Sequence, residues 1–119
     1  SMFKNSISLL NINSIKDFEN KTDKKIETSI FRGNLVFDGV EPWEERDWIG
    51  KILKINNISF KVEKNIPRCV AINLKPKSDD NSVNLLKILK QTYNHFEMGI
   101  YLTPLENGEI NLLDKIKIN

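Results

Sequence analysis

At 119 residues, with 39% hydrophobic and 29% charged side chains, the chain has the size and composition of one soluble globular domain. A net charge of +2 gives no field that argues for nucleic acid, and a single cysteine rules out an internal disulfide framework. No run approaches the roughly 18 apolar residues of a membrane-spanning helix, and the first residues lack a secretion signal, so a cytoplasmic protein with no membrane association is expected. Ser1 ahead of Met2 reads as a tag-cleavage remnant, which leaves a single domain over residues 2–119. Of 18 basic residues only Arg32, Arg46 and Arg68 are arginine. Lysine fills most positions where a point charge suffices. The three arginines are therefore candidates for places that need a planar fork to grip a phosphate or carboxylate.

In chain order, "SISLLNI" reads as a short strand. In "NSIKDFENKTDKK", Asn13 or Ser14 caps a helix of two turns, with Ile15 and Phe18 on its apolar face. "IFRGNLVFDGV" carries the strand formers Ile30, Phe31, Leu35, Val36 and Phe37, broken by Gly33 and Asn34; a glycine there implies a bulge or a group close to the backbone. "EPWEERDWIG" reads as an irregular or single-turn segment pinned to the body by Trp43 and Trp48. Alternation of Ile58, Phe60 and Val62 after "NN" marks "KILKINNISFKVEK" as a hairpin.

"CVAINLKP" reads as a strand with Val70, Ile72 and Leu74 on one face and Cys69, Ala71 and Asn73 on the other. "SVNLLKILKQTYNHF" is the best helix, capped by Ser82, with an apolar stripe of Val83, Leu86 and Leu89. "MGIYLTPL", a turn at "ENGE" and "INLLDKIKI" form a closing antiparallel pair. Many short strands, two helices and no alternating βα rhythm predict a mainly β fold, a barrel or sandwich with about two peripheral α-helices.

The chemistry centres on "IPRCVAIN". A thiol becomes a nucleophile or metal ligand only as the thiolate, and the guanidinium of Arg68 beside Cys69 favours that form. Against this stands the ordinary reading of a free cysteine at the start of an apolar strand, which is core packing. A zinc site at Cys69 needs His95 and carboxylates as its other ligands. His95 itself reads as a helix-end contact or surface residue. Glu44, Glu45 and Asp47 offer an acid/base pair, with Asp47 the one to face a site, but a charge cluster between two tryptophans reads more simply as a solvated loop.

"IFRGNLVFDGVEPWEERDWIG", "IPRCVAINLKP", "MGIYLTP" and "NGEINLLDKIKI", in this order, resemble the MOSC domain, the C-terminal module of molybdenum cofactor sulfurase, over residues 7 to 118. The chain is similar to the C-terminal part of amidoxime-reducing proteins. The resemblance implies a β-barrel that binds the molybdenum cofactor, a pterin with a phosphate tail and a dithiolene that holds the metal. It implies that Cys69 supplies a thiolate to molybdenum, a chemically sensible soft ligand. Arg32 would contact the anionic pterin or its phosphate, Asn34 would hydrogen-bond nearby, Gly33 would let the backbone approach, and Arg68 would lie at the mouth of the site. The implied reaction is reduction of N-hydroxylated compounds, with a redox partner protein supplying electrons or a cofactor-donating protein loading the site.

The chain departs from the family pattern in two ways. The N-terminal strands and domain of larger relatives have no counterpart here, which is expected of a shortened piece, a naturally reduced protein or a barrel completed by a partner, and an uncovered strand edge near Ile7 to Leu10 would favour a partner or a homodimer. Leu113 stands where the closing motif carries glycine, although Asp114 remains. The rival readings are a non-catalytic cofactor carrier and a protein-docking β-barrel in which Cys69 is core.

Overall fold

The computed structural model describes residues 7–23, 25–26, 28–31, 35–55, 57–69, 72, 84–106 and 116–118. Its strands are β1 (Ile7–Asn11), β2 (Leu35–Phe37), β3 (Ile52–Ile55), β4 (Ile58–Pro67), β5 (Glu97–Pro104) and β6 (Ile116–Ile118), and its helices are α1 (Ile12–Thr22) and α2 (Leu85–Tyr93). Two 3-10 segments, Thr28–Phe31 and Glu44–Trp48, lie in the connections. The strands form one sheet in the order β2-β1-β5-β4-β3-β6, parallel between β1 and β2 and antiparallel elsewhere. The mainly β class with two helices is as expected. The sheet curls into a half-barrel, and among the described residues no ladder joins β2 to β6 to close it.

Alternation along β1 buries both of its faces. Leu9 joins an inner-face cluster with Phe37, Trp48, Leu53, Phe60, Val62, Ile100 and Leu102. Leu10 joins a second cluster under the helices, with Ile15, Phe18, Phe31, Leu85, Leu89 and Met98. Met98 and Ile100 lie two apart on one strand yet belong to opposite faces. The ladder explains this: Asn65 pairs with Ile100 but Pro67 pairs with Glu97, so β5 holds one extra residue there. Gly99, at φ +90°, sits in that bulge and flips the pattern.

The hairpin is present as expected, with Ile52 opposite Lys61 and Ile55 opposite Ile58, and Asn57 takes φ +65° in its turn. Other elements differ from the sequence reading for identifiable reasons. Asn11 caps α1, accepting from the Asn13 amide at 3.0 Å, and the helix runs for 11 residues rather than two turns. Asn84 caps α2, accepting from the Lys87 amide at 3.0 Å; Ser82 lies outside the described residues. Ile30 and Phe31 belong to a 3-10 turn rather than a strand, because burial of the Phe31 ring (0% exposed) among the helix-side residues overrides its strand propensity.

Ile72 donates to the carbonyl of Cys69 at 3.2 Å; the rest of the strand expected from Cys69 to Pro76 falls on residues 70–71 and 73–76, outside the described residues. The final strand pairs with β3, not with β5, because both edges of β5 are already taken by β1 and β4. Within the expected edge at Ile7 to Leu10, β2 flanks Leu9 and Leu10 on one side and β5 pairs with Ile7 to Leu9 on the other, and among the described strands the outermost are β2 and β6.

Candidate functional site

Cys69 lies two residues beyond the end of β4, and its side chain is exposed. The ladder continues past the last pair, Pro67 with Glu97, because the Arg68 amide donates to the Phe96 carbonyl at 2.6 Å. Asn65 faces Ile100 of the inner cluster, so strand alternation puts Asn65 and Pro67 on the inner face and Ile66 on the other, and the bond to Phe31 puts Arg68 on the helix side; Cys69 follows past the end of the strand. Exposure of the thiol removes the core-packing reading of Cys69.

Arg68 acts from behind the strand. Its Nε and Nη2 donate to the Met98 carbonyl at 3.0 and 2.7 Å, and its Nη1 donates to the Phe31 carbonyl at 2.6 Å. The guanidinium carbon lies 5.3 Å from the centre of the Phe31 ring. Burial pulls the Arg68 pKa down to about 10, opposed by the nearby Tyr101 and Cys69, and the group stays cationic at neutral pH. The fork expected at the mouth of the site is thus committed to main-chain carbonyls. It also does something the sequence did not announce. The bond ties Phe31, the residue before Arg32, to the residue that precedes Cys69. Arg32, Gly33 and Asn34 themselves, like Leu113 and Asp114, lie outside the described residues.

Among the described residues no three His, Cys, Asp or Glu side chains gather as a metal site, so Cys69 has no zinc-type partners there. The Nδ1 of His95 accepts from the Glu97 amide at 3.0 Å, and its ring lies 5.8 Å from Tyr93 and 5.5 Å from Trp43. Burial and then the Arg46 charge hold its pKa below the usual histidine range, against the pull of Glu97. His95 is a neutral residue packed where α2 turns into β5.

The acidic segment divides sharply. Asp47 is exposed, whereas Glu45 is buried, 1% exposed, contrary to the solvated-loop reading. Ser14 Oγ donates to both Glu45 oxygens, at 3.1 and 2.8 Å, and Asn11 Nδ2 donates at 2.9 Å. Desolvation raises the Glu45 pKa despite these bonds and the adjacent Arg46. Glu45 thereby fastens the 3-10 turn to the start of α1. Its neighbour Arg46 bonds Glu97 of β5 at 2.8 Å, and Trp48 packs into the inner cluster. On the other side, Asp17 accepts from Tyr93 Oη at 2.6 Å, Trp43 Nε1 at 2.9 Å and Lys21 Nζ at 3.2 Å. These three bonds outweigh desolvation and keep its carboxyl below the ordinary range. Both tryptophans pin the segment to the body as expected.

One polar residue escaped the sequence reading. Asn65 Oδ1 is sealed from solvent and has no hydrogen-bond partner among the described residues. An asparagine inside an otherwise regular strand pattern was the available signal.

The geometry defines a class: a curled β half-barrel with an exposed thiol just past the end of β4, beside an arginine committed to main-chain carbonyls. The MOSC domain family model matches residues 4–117, and the chain belongs to the MOSC domain family. It is 31% identical over 106 residues to a molybdenum cofactor sulfurase of Drosophila willistoni, covering 87% of this chain and 13% of that protein. It is 33% identical over 70 residues to mitochondrial amidoxime reducing component 2 of Rattus norvegicus, covering 59% of this chain and 20% of that protein. The chain thus spans a small part of the length of these relatives. The solved structure of YiiM from Geobacillus stearothermophilus superposes with a TM-score of 0.67 at 17% identity, covering 95% of this chain and 53% of that one, which shows a shared fold.

The donor set suits a molybdenum cofactor. An exposed thiol is a soft donor that could complete the coordination of a metal held by a dithiolene. No described helix is long and apolar enough to cross a membrane.

Proposed function

We propose that this domain binds the molybdenum cofactor, with Cys69 as the protein ligand to the metal and Arg32, Gly33 and Asn34 contacting the pterin or its phosphate. The observation that carries the reading is the exposed Cys69 thiol just past β4, next to Arg68, which is bonded to the residue before Arg32. When bound, the cofactor supplies two-electron oxygen-atom transfer, as in reduction of N-hydroxylated compounds with electrons from a separate redox protein in the cytoplasm. The residues of the chain hold and orient. Cys69 offers its thiolate. Arg68 fixes the angle at which β4 delivers that thiol by clamping Met98 and Phe31, and its positive charge lies next to the sulfur in sequence. A carrier that only stores the cofactor would use the same residues without turnover.

The test is molybdenum per chain, measured by metal mass spectrometry after expression in a host that makes the cofactor, with Cys69→Ala in parallel. Near-stoichiometric metal in the native chain and its loss in the variant are expected. Absence of metal from both, with a less stable variant, would overturn the reading.

A further inference from the structure

Strand alternation turns Leu53, Phe60, Val62, Ile100 and Leu102 into the inner cluster, so the residues between them stand on the outer face of the sheet. The helix-side cluster covers only one end of that face: it takes Leu10 of β1 and Met98 of β5, but no residue of β3 and none of residues 59–64. The other end carries three rows across the strands. Ser8, Tyr101 and Lys64 are in register in the first, Thr103, Lys61 and Ile52 in the second, and Ser59, Lys54 and Lys117 in the third. Lys117 takes the position directly opposite Lys54, and like charges at opposed positions are an unfavourable pairing in a sheet. The carboxylates of this region are engaged by neutral donors, Glu63 by Thr103 Oγ1 at 2.6 Å and Glu106 by the Ser59 amide at 2.8 Å. Among the described residues neither Lys54 nor Lys61 makes an ion pair. Local rules of this kind are broken mainly where function asks for it.

Two features say what the face suits. The rows hold lysine and no arginine. Lysines are point charges on flexible stems that reach a common plane from a curled sheet, but they lack the fork that reads one phosphate or carboxylate. Beside them Leu105 is 54% exposed, its amide bonded to the Ser59 carbonyl at 2.8 Å. Diffuse positive charge next to an apolar tip matches an anionic bilayer, which offers many phosphates at no fixed spacing above a hydrocarbon layer. A single-stranded nucleic acid fits less well, since Tyr101 is the one aromatic residue in the rows.

We propose that this end of the outer face docks on an anionic lipid surface, with Lys54 and Lys61 against the headgroups and Leu105 at the interface. The docking is independent of Cys69. It departs from the expectation of no membrane association, which rested on the lack of a spanning segment; attachment to a surface needs none.

The experiment is co-sedimentation with phosphatidylcholine vesicles, with and without phosphatidylserine, of the native protein, Lys54→Gln/Lys61→Gln, Lys16→Gln/Lys87→Gln and Leu105→Ser. The two double variants carry the same net charge, and Lys16 and Lys87 are exposed on α1 and α2. Native protein should bind only the vesicles that contain phosphatidylserine, and less as salt is raised. Each lysine near such a surface contributes about 1 kcal/mol, about fivefold in partition. The sheet variant should therefore bind roughly 25-fold more weakly, and the helix variant within about twofold of native. Leu105→Ser should also bind more weakly. The melting temperature of the sheet variant should not fall, because Lys54→Gln removes one of two opposed charges. Equal weakening in both double variants overturns the proposal, since net charge alone would then set binding. Native-like binding by the sheet variant, or its melting several degrees lower, overturns it as well. So does a native chain that ignores phosphatidylserine at low salt, and its binding a single-stranded RNA oligonucleotide instead would give the face to nucleic acid.

Discussion

Gly99→Ala is the most discriminating test of the sheet, because Gly39 supplies a matched control. The two glycines have nearly the same backbone, φ +90° and +94°. An L-residue in that region costs about 1–2 kcal/mol at either position. They differ in what the new methyl meets. At Gly39 nothing lies within 4 Å, whereas at Gly99 a Cβ would stand 2.8 Å from Leu10 Cδ2, 3.0 Å from the Leu9 carbonyl and 3.3 Å from Ile66 Cδ1. The Leu9 oxygen is strand backbone, and Leu10 is 1% exposed, so neither can step aside into solvent. Overpacking of that kind adds about 1–3 kcal/mol. Gly99→Ala should thus cost about 2–5 kcal/mol and Gly39→Ala about 1–2 kcal/mol, against a total stability of roughly 5–15 kcal/mol. At about 4 °C per kcal/mol for this size, the two melting temperatures should differ by roughly 4–12 °C. Urea unfolding with an unchanged m-value supplies the same difference as a shift in midpoint. Melting temperatures within about 2 °C of each other would refute the close approach of β1 to the bulge.

Arg68→Lys keeps the charge and loses the fork, leaving the Met98 and Phe31 carbonyls short of donors; a loss of about 2–3 kcal/mol in urea unfolding is expected, and native-like stability would show that the clamp is idle. Glu45 supplies a pH signature. Its folded pKa is raised above the ordinary 4.5, so the folded state binds the proton more tightly than the unfolded chain. Stability from this group is therefore fully present below 4.5 and is lost as pH rises through the folded pKa. Glu45→Gln, which cannot ionise, should flatten that decline in chemical-denaturation profiles taken above pH 4.5; an unchanged profile would put the proton elsewhere.

Local pattern was legible where one element decides its own structure. The hairpin from Ile52 to Val62 declared itself by alternation, and Leu89 marked the buried side of α2, although the stripe named Leu86 where Leu85 is the buried residue and the cap was misplaced by two residues. Legibility failed where a distant partner decides. Ile30 and Phe31 look like strand until Arg68, 37 residues on, is seen bonding the Phe31 carbonyl. Glu45 looks solvated until Asn11 and Ser14 close over it from 34 and 31 residues away. The site divided in the same way. Cys69 could be named from its neighbours in sequence, but the direction of Arg68 follows from its bonds to Phe31 and Met98. The pairing of the last strand was an error of competition: β5 was assigned a partner after its two edges were full.

The place of β1 in the sheet also sets a schedule. Ile7, Ser8 and Leu9 pair with Leu102, Tyr101 and Ile100, so the first strand finds this neighbour only after more than 90 further residues have been made. At about 5–20 residues per second of synthesis, that is roughly 5–20 s during which the apolar Leu9 and Leu10 emerge without the strand that covers them. The hairpin can close long before. A growing chain can hold β3 against β4 before β1 meets β5, so slowed translation anywhere between Asn11 and Leu102 would lengthen the exposure of β1 to chaperones.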